Sequence, residues 1–336
     1  MIRDQMSNFN AHTLAKPTMP CLRIAFSRLA VAAAISVAGQ IPAYAQAHNT
    51  WTKGANMPTA VEGPATGVIR GKVYVVGGAN GGVEIAINQI YNPTTNKWTT
   101  GASMPTPRYV PAGAVVNNIL YVIGGKQNGG QLQVVESYDP TSNTWDTHHM
   151  PMPTARDSIK AVVKNGIIYV IGGFNNGSGR LTTVESYDPS TDTWTEDEPL
   201  LIGKSSMAAG LLGSTIVAAS GLSDSGASGN NEGNKAPTSS PWTSLASDHA
   251  PRWDVCSASI LGQLYSASGR NNTKSLKTVE SFSLSENKWI AVAPIPLATN
   301  TAGEAAVNNL LFCFGGSSNG NEGQGTLYNN VQIYHP

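Results

Sequence analysis

One pattern recurs six times along this chain and constrains its fold more than any other feature. An apolar run that ends in glycine, as in "VYVVGG" and "LYVIGG", returns every 47 or 48 residues. The last glycines of these runs are Gly78, Gly125, Gly173, Gly221, Gly269 and Gly316. Tryptophans recur with a similar period of 47 to 49 residues, at Trp51, Trp98, Trp145, Trp194, Trp242 and Trp289. The glycine series and the tryptophan series recur with matching periods, which indicates six copies of one structural unit.

Each unit is predicted to form four short β-strands. In the second unit these are "AGAVVN", "ILYVIGG", "QVVESYDP" and "TWDTHHMP", separated by turn residues. The second strand is apolar on both faces, so both faces must be covered. A sheet this small cannot cover itself, whereas sheets stacked around an axis cover one another. The sequence therefore predicts an all-β fold: a six-bladed β-propeller with four antiparallel strands per blade.

The ring is predicted to close through the two ends of the repeat region. The sixth unit supplies three strands and stops at "VQIYHP", without the tryptophan that follows the other copies. The segment "WTKGANMP" at 51–58 matches "WTTGASMP" at 98–105 in six of eight positions. We therefore expect about residues 51–57 to complete the sixth blade, within a single domain that spans 46–336, and to cover an otherwise open sheet edge.

The repeat resembles the kelch motif. In the second unit the matching stretches are "MPTPR", "LYVIGG" and "VESYDPTSNTW", which contain Arg108, Gly124, Gly125, Glu136, Tyr138 and Trp145. The resemblance covers about 51–336 and implies a kelch-type propeller. It says little about activity, because kelch propellers include enzymes, peptide readers and scaffolds.

Arginine and glutamate vary together among the six units. Where the first strand is preceded by Arg108, Arg156 or Arg252, the third strand contains Glu136, Glu185 or Glu280. In the first and sixth units, Val61 and Thr299 occur together with Gln89 and Gln332. An unpaired buried charge is costly, so we predict structural Arg–Glu pairs within blades. The fourth unit departs most, with Lys204 at the arginine position and Lys235 at the tyrosine position, and is expected to have a loose outer edge.

Residues 1–45 have the pattern of a secretory leader. Arg23 and Arg28 precede the apolar stretch "LAVAAAISVAG", which is followed by small residues up to Ala45. We expect cleavage after Ala45, with Met19 as an alternative start, and a secreted or periplasmic protein. The apolar stretch is too short for a membrane span. The formal net charge of zero favours neither nucleic acid nor an anionic membrane as partner.

Two cysteines lie beyond the leader, and the sequence favours free thiols. Cys256 and Cys313 both occur within apolar strand runs, where a free cysteine acts as a small hydrophobic residue. An oxidising compartment would also allow them to pair, which leaves a disulfide as the alternative.

The sequence contains no familiar catalytic or metal-binding motif. It lacks the nucleophile elbow, the phosphate-binding glycine loop and zinc-type Cys/His spacing. The adjacent His148 and His149 point to opposite faces if they lie on a strand. We therefore expect neither a metal nor a cofactor, and a binding protein more than an enzyme.

A ligand site is predicted at the mouth of the propeller, where the first strands begin. The residues just ahead of these strands and the loops after the glycine pairs should share one face. Aromatic rings with amides and carboxylates are what sugar or peptide binding requires. The predicted site consists of Glu62, Tyr109, Asp157, Trp253, Asp254, Arg270, Asn271 and Asn300. Trp253 stands outside the tryptophan ladder and is the first candidate. Alternatively, these loops are polar only because they are solvated.

Two charged residues occupy positions where other units have small residues near the axis. Lys160 and Glu304 belong to the third and sixth units, which lie opposite each other in a six-fold ring. We expect them to face a water-filled central channel. Alternatively, the pair orients a small polar ligand or acts as acid and base.

These observations favour a secreted or periplasmic binding module for a glycan, peptide or protein. The resemblance also implies an alternative, a carbohydrate-active enzyme of the N-acetylneuraminate mutarotase or epimerase type. Such an enzyme would need only a carboxylate and a cationic or hydrogen-bonding partner.

Overall fold

The computed structural model describes residues 48–318 and 325–336, and the predicted leader lies outside these ranges. The described residues form strands and turns without any helix, and therefore without a helix able to cross a membrane. Blade one consists of the strands Ala65–Ile69, Lys72–Val76, Asn88–Asn92 and Lys97–Gly101. Blade two consists of Ala112–Val116, Ile119–Ile123, Val135–Asp139 and Thr144–Asp146. Blade three consists of Lys160–Lys164, Ile167–Ile171, Val184–Asp188 and Thr193–Glu196. Blade four consists of the strands Ala208–Leu212, Thr215–Ala219, Asn231–Asn234 and Thr243–Leu245. Blade five consists of Cys256–Ile260, Gln263–Ala267, Val279–Ser283 and Lys288–Ala291. Blade six consists of Gly303–Val307, Leu310–Phe314, Val331–His335 and Thr50–Gly54.

Each blade is a four-stranded antiparallel sheet in which neighbouring strands pair in order. The first strands of successive blades adjoin one another, and the first strand of blade six adjoins that of blade one. Small residues allow this approach near the axis: a Cβ atom on Gly113 would lie 2.2 Å from the carbonyl oxygen of Thr66 in the neighbouring blade. The predicted six-bladed propeller is confirmed.

The sixth blade is closed by a strand from the other end of the repeat region, as predicted. Thr50–Gly54 pairs with Val331–His335, which places Trp51 opposite Tyr334. The Asn49 side chain accepts hydrogen bonds from the Tyr334 hydroxyl at 2.8 Å and the Ala293 N–H at 2.6 Å. In blade one, whose four strands follow one another along the chain, Asn96 accepts the corresponding bonds from the Tyr91 hydroxyl at 2.7 Å and the Ala55 N–H at 2.6 Å. The closure therefore reproduces the ordinary blade in detail.

The hydrophobic core consists of clusters that lie between neighbouring blades. Between blades one and two, Tyr74 packs against Leu120, Val122 and Tyr138, all less than a tenth exposed. Each second strand thus covers one face against the preceding blade and the other against the next. This arrangement supplies the two-sided burial that its apolar sequence requires.

The predicted Arg–Glu pairs are confirmed in blades two, three and five. Arg108 pairs with Glu136, Arg156 with Glu185 at 2.9 Å, and Arg252 with Glu280 at 2.6 Å. All three arginine side chains are fully buried. In blades one and six, Gln89 and Gln332 instead exchange hydrogen bonds with the backbone N–H and carbonyl of Thr59 and Leu297.

Blade four is more regular than the sequence suggests, and two expectations about it were wrong. Lys204 makes a buried ion pair with Glu232 at 2.9 Å, so this blade retains the charged pair. Asn234, not Lys235, takes the tyrosine position, because it pairs with Ile216 as Tyr138 does with Leu120. The outer part is not loose, since Asn231–Asn234 is a buried third strand.

The preference for free thiols was also wrong, because Cys256 and Cys313 form a disulfide. Their Cα atoms are 5.9 Å apart. Cys256 lies on the first strand of blade five and Cys313 on the second strand of blade six, and both are buried. The bond therefore links two neighbouring blades covalently.

Candidate functional site

The mouth of the propeller is built where each first strand begins. A residue three positions ahead of the strand forms a backbone bridge with the residue that follows the last glycine of the repeated apolar run in the same blade. The six bridges join Glu62 with Ala79, Tyr109 with Lys126, Asp157 with Phe174, Ser205 with Leu222, Trp253 with Arg270, and Asn300 with Ser317. Glycine is needed beside them: a Cβ atom on Gly125, whose φ is +91°, would lie 2.9 Å from the Tyr109 carbonyl oxygen.

A closed ring of backbone hydrogen bonds joins the six blades next to these bridges. One residue per blade donates its N–H to the carbonyl of its counterpart in the neighbouring blade, at 2.7–3.0 Å. The ring consists of Gly63, Val110, Ser158, Ser206, Asp254 and Thr301. Their φ values lie between +47° and +58°, which is a strained region for the β-branched Val110. The ring holds this conformation and fixes the mouth in place.

An open cavity of about 390 Å³ occupies the mouth. Seven of the eight residues of the predicted ligand site line it: Glu62, Tyr109, Asp157, Trp253, Asp254, Arg270 and Asn300. Asn271 is not among its lining residues. Its side chain accepts hydrogen bonds from the N–H groups of Thr273 and Lys274, so it folds its own loop. Whether this cavity binds a ligand stays a prediction.

Sequence reasoning missed several residues that line the same cavity. They are Lys126, Gln131, Phe174, Arg180 and Leu222. Three of them, Lys126, Phe174 and Leu222, stand directly after the last glycine of the repeated apolar run, the position that Arg270 occupies in blade five. Reading that whole column across the six units would have found them.

Three aromatic rings at the mouth each carry a cation on one face. The Lys126 ammonium lies 5.1 Å from the Tyr109 ring centroid, and the Arg270 guanidinium lies 5.4 Å from the Trp253 ring centroid. In blade three, the Arg180 guanidinium lies 5.7 Å from the Phe174 ring centroid. Arg180 also forms an ion pair with Asp224 at 3.1 Å. These contacts hold the rings and place positive charge around the opening.

Carboxylates supply the opposite charge. Asp157 accepts hydrogen bonds from the Gln131 amide at 2.9 Å and the Ser158 hydroxyl at 2.7 Å, which fixes its orientation. Burial raises the pKa of Asp254 above its usual value, against the influence of Arg270 and Lys160. The mouth thus offers both hydrogen-bond acceptors and cationic donors beside aromatic faces.

Lys160 and Glu304 meet across the axis. The Lys160 ammonium pairs with one carboxylate oxygen of Glu304, and the other oxygen accepts the Ser257 N–H at 2.7 Å. Lys160 lines both a small cavity of about 60 Å³ next to the mouth and one of about 70 Å³ that is also lined by Glu304. The two side chains therefore bridge the axis directly, and the water-filled channel stays a prediction. Within the described ranges, no group of three His, Cys, Asp or Glu side chains is arranged to hold a metal ion.

Comparison with solved structures agrees with this architecture. The structure titled "Structure of YjhT" superimposes with a TM-score of 0.71 and 18% sequence identity. The match covers 82% of this chain and 95% of that one. At this identity the likeness concerns the fold alone.

Sequence comparison identifies the family. The KLHDC2/KLHL20/DRC7 Kelch-repeats domain matches residues 44–220, and the Kelch motif matches residues 251–296. Kelch-like protein 35 is 33% identical over 95 residues in Mus musculus and 35% identical over 79 residues in Homo sapiens. These matches cover 28% and 24% of this chain and only 16% and 14% of the relatives. The chain belongs to the kelch-repeat family of β-propellers.

Proposed function

We propose that this protein is an exported binding module that holds a glycan, peptide or protein partner in its mouth cavity. The observation that carries the proposal is the convergence of three cation-covered rings and several carboxylates on one cavity of about 390 Å³. Rings provide flat apolar contact area, and oriented polar groups provide specificity. Kelch propellers also generally serve as interaction modules, which favours binding as the primary role.

Export rests on two features. The leader pattern of residues 1–45 is of the kind that directs secretion. A disulfide such as that between Cys256 and Cys313 persists in oxidising compartments and is rare in the cytosol. N-terminal sequencing of the protein from its native host should begin at Gln46. A mature protein that retains residues 20–45 would contradict cleavage after Ala45.

The binding proposal is tested by screening the full protein on glycan and peptide arrays. The Trp253→Ala variant should bind the ligands found on the arrays at least about tenfold more weakly than the wild type, a loss of ~1.4 kcal/mol in binding free energy. Leu261→Ala is the matched control, since Leu261 is an apolar side chain 68% exposed and outside the mouth lining. Hits that bind Trp253→Ala as well as the wild type would place the ligand elsewhere.

A second candidate is a sugar mutarotase or epimerase of the N-acetylneuraminate type. The observation that favours it is the Lys160–Glu304 pair beside the cavity next to the mouth, with the half-buried Asp254 carboxyl lining the same cavity. A carboxylate and an ammonium group suffice for general acid–base transfer at an anomeric centre. Anomeric exchange of N-acetylneuraminate, followed by NMR, should then accelerate and should fall at least about tenfold in Glu304→Gln. Exchange at the uncatalysed rate with the wild-type protein would exclude this candidate and leave the binding proposal intact.

A further inference from the structure

A chain of four polar side chains connects blades two and three away from the mouth. His149 Nε2 lies 2.8 Å from Ser137 Oγ, and His149 Nδ1 lies 3.3 Å from the Tyr187 hydroxyl. The Tyr187 hydroxyl in turn donates to Asp192 Oδ1 at 2.6 Å. None of these residues lines the mouth cavity.

The hydrogen-bond directions assign the protonation of the histidine. An ionised carboxylate accepts only, so the single Tyr187 proton points to Asp192. Hydrogen bonding to Tyr187 lowers the pKa of Asp192, and burial raises that of Tyr187, which keeps both in these states. The Tyr187 oxygen must therefore accept from His149 Nδ1–H. His149 Nε2 is then unprotonated in neutral imidazole and accepts the Ser137 hydroxyl proton, as a general base does.

The other blades show that this arrangement is more than a structural motif. Asn96 and Asn143 make the same two bonds as Asp192, to the tyrosine hydroxyl and to a backbone N–H of the preceding blade. An asparagine thus satisfies the structural requirement. Blade three has a carboxylate at this position, beside His149.

Serines at the position of Ser137 provide internal references. Ser186 and Ser281 occupy the corresponding place in the third strands of blades three and five. The hydroxyl of Ser281 is buried without a hydrogen-bond partner among the described residues. Ser137 differs by its contact with His149, and it lies beside Asp146, whose side chain is 56% exposed at the edge of the blade.

We propose that Ser137 is a nucleophile activated by His149, in a second site that accepts small acyl esters. The Ser137 Oγ lone pair attacks the acyl carbon while its proton passes to His149 Nε2. The tetrahedral adduct then breaks its bond to the leaving alcohol, which takes that proton from His149. Water repeats the sequence on the acyl-serine, releases the acid and restores both groups. Because Ser137 is only 7% exposed, the acyl group must be small.

The test is acetylation of the full protein by p-nitrophenyl acetate, followed by peptide mass spectrometry. Ser137 should be acetylated at least about tenfold faster than Ser186 or Ser281. His149→Gly should abolish this advantage, and added imidazole should restore part of it. Asp192 touches no reacting atom and acts as a positioning residue. Asp192→Asn should keep the melting temperature, as asparagine does in the other blades, yet slow acetylation and change its pH profile.

Equal acetylation of the three serines would overturn the proposal. So would a Ser137 rate that is unchanged in His149→Gly, because the serine would then react without a base. Melting curves of each variant show whether a lost rate merely reflects unfolding, and the imidazole rescue distinguishes a missing base from a displaced serine.

Discussion

The Arg270 guanidinium lies over the indole ring of Trp253, and the backbones of the two residues are joined by hydrogen bonds in both directions, at 2.8 and 3.0 Å. The position of Trp253 relative to Arg270 is therefore fixed both by the side-chain contact and by the backbone hydrogen bonds. Trp253 is half-buried and lines the mouth. A ring held in this way can offer its area to a ligand at little entropic cost.

The first prediction separates the charge of this pair from its scaffold role. Arg270→Gln removes the cation and should lower the free energy of unfolding by at most ~1 kcal/mol, the usual size of an exposed cation–π contact. Affinity for an array-identified ligand should fall about tenfold if the ligand is anionic. Urea denaturation measures the change in the free energy of unfolding, and titration calorimetry at two salt concentrations measures the change in affinity. An anionic ligand whose affinity and salt dependence stay unchanged would contradict a role for Arg270.

A second prediction concerns the buried pair of Arg156 and Glu185. Arg156→Val should destabilise the protein by about 3–5 kcal/mol, because it leaves a buried carboxylate unpaired. Adding Glu185→Gln copies blade one, where Val61 occurs with Gln89, and should recover at least ~1 kcal/mol. Urea denaturation of the single and double variants gives these values. The absence of any recovery would show that the two residues act independently.

Asp197 predicts an unusual dependence of stability on pH. It is buried at 6% exposure, and neither carboxylate oxygen accepts a hydrogen bond of ordinary geometry within the described part of the chain. Burial raises its pKa to about 6, against the influence of the nearby Ser186 hydroxyl and with a smaller contribution from the charge of Glu185. The folded protein therefore holds this proton more tightly than the unfolded chain does, so its contribution to stability is full below about pH 4 and is lost as the pH rises to about 6.

Asp197→Asn should remove this loss. The variant should be more stable than the wild type at pH 7, by on the order of 2 kcal/mol, and its stability should vary less between pH 4 and pH 6. Urea denaturation across this range measures the difference. Glu198→Gln is the matched control, since it removes an equal charge from the exposed neighbouring residue. A profile that Asp197→Asn leaves unchanged would rule out the buried carboxylate as its source.

Asn49 provides a test of how the ring closes. It makes the two hydrogen bonds that Asn96 makes in blade one, although it lies 285 residues from Tyr334. Asn49→Ala and Asn96→Ala should therefore cost similar amounts, about 1–3 kcal/mol each. Thermal melts of the two variants compare them directly. If Asn49→Ala left the melting temperature unchanged while Asn96→Ala lowered it, the closing strand would be only loosely attached.

Much of the fold was accessible from the sequence because each blade repeats the same local chemistry. The glycine and tryptophan ladders predicted the blades, and the absence of a tryptophan after Tyr334 predicted the closure by Trp51. The paired occurrence of Arg156 with Glu185 predicted a contact across a sheet. These inferences needed only comparison of one unit with another.

Contacts between different blades were less accessible. The disulfide joins a first strand to a second strand of the next blade, so the strand context of Cys256 and Cys313 could not reveal their proximity. His149 meets Tyr187 only because a connecting segment packs against the next blade. The mouth residue Phe174 was overlooked because only polar residues were selected from the loops that follow the glycine pairs, although Phe174 stands directly after one of these pairs.

The ring of backbone hydrogen bonds from Gly63 to Thr301 has a consequence for how such a protein can change. None of its six bonds uses a side-chain atom, and neighbouring positions already carry residues as different as glycine, valine and aspartate. Substitutions at the five positions that are not glycine can therefore alter recognition while the supporting frame persists, whereas a Cβ atom on Gly63 would lie 2.4 Å from the Tyr109 ring. The same property makes this rim a natural place to randomise residues when selecting variants with new specificities.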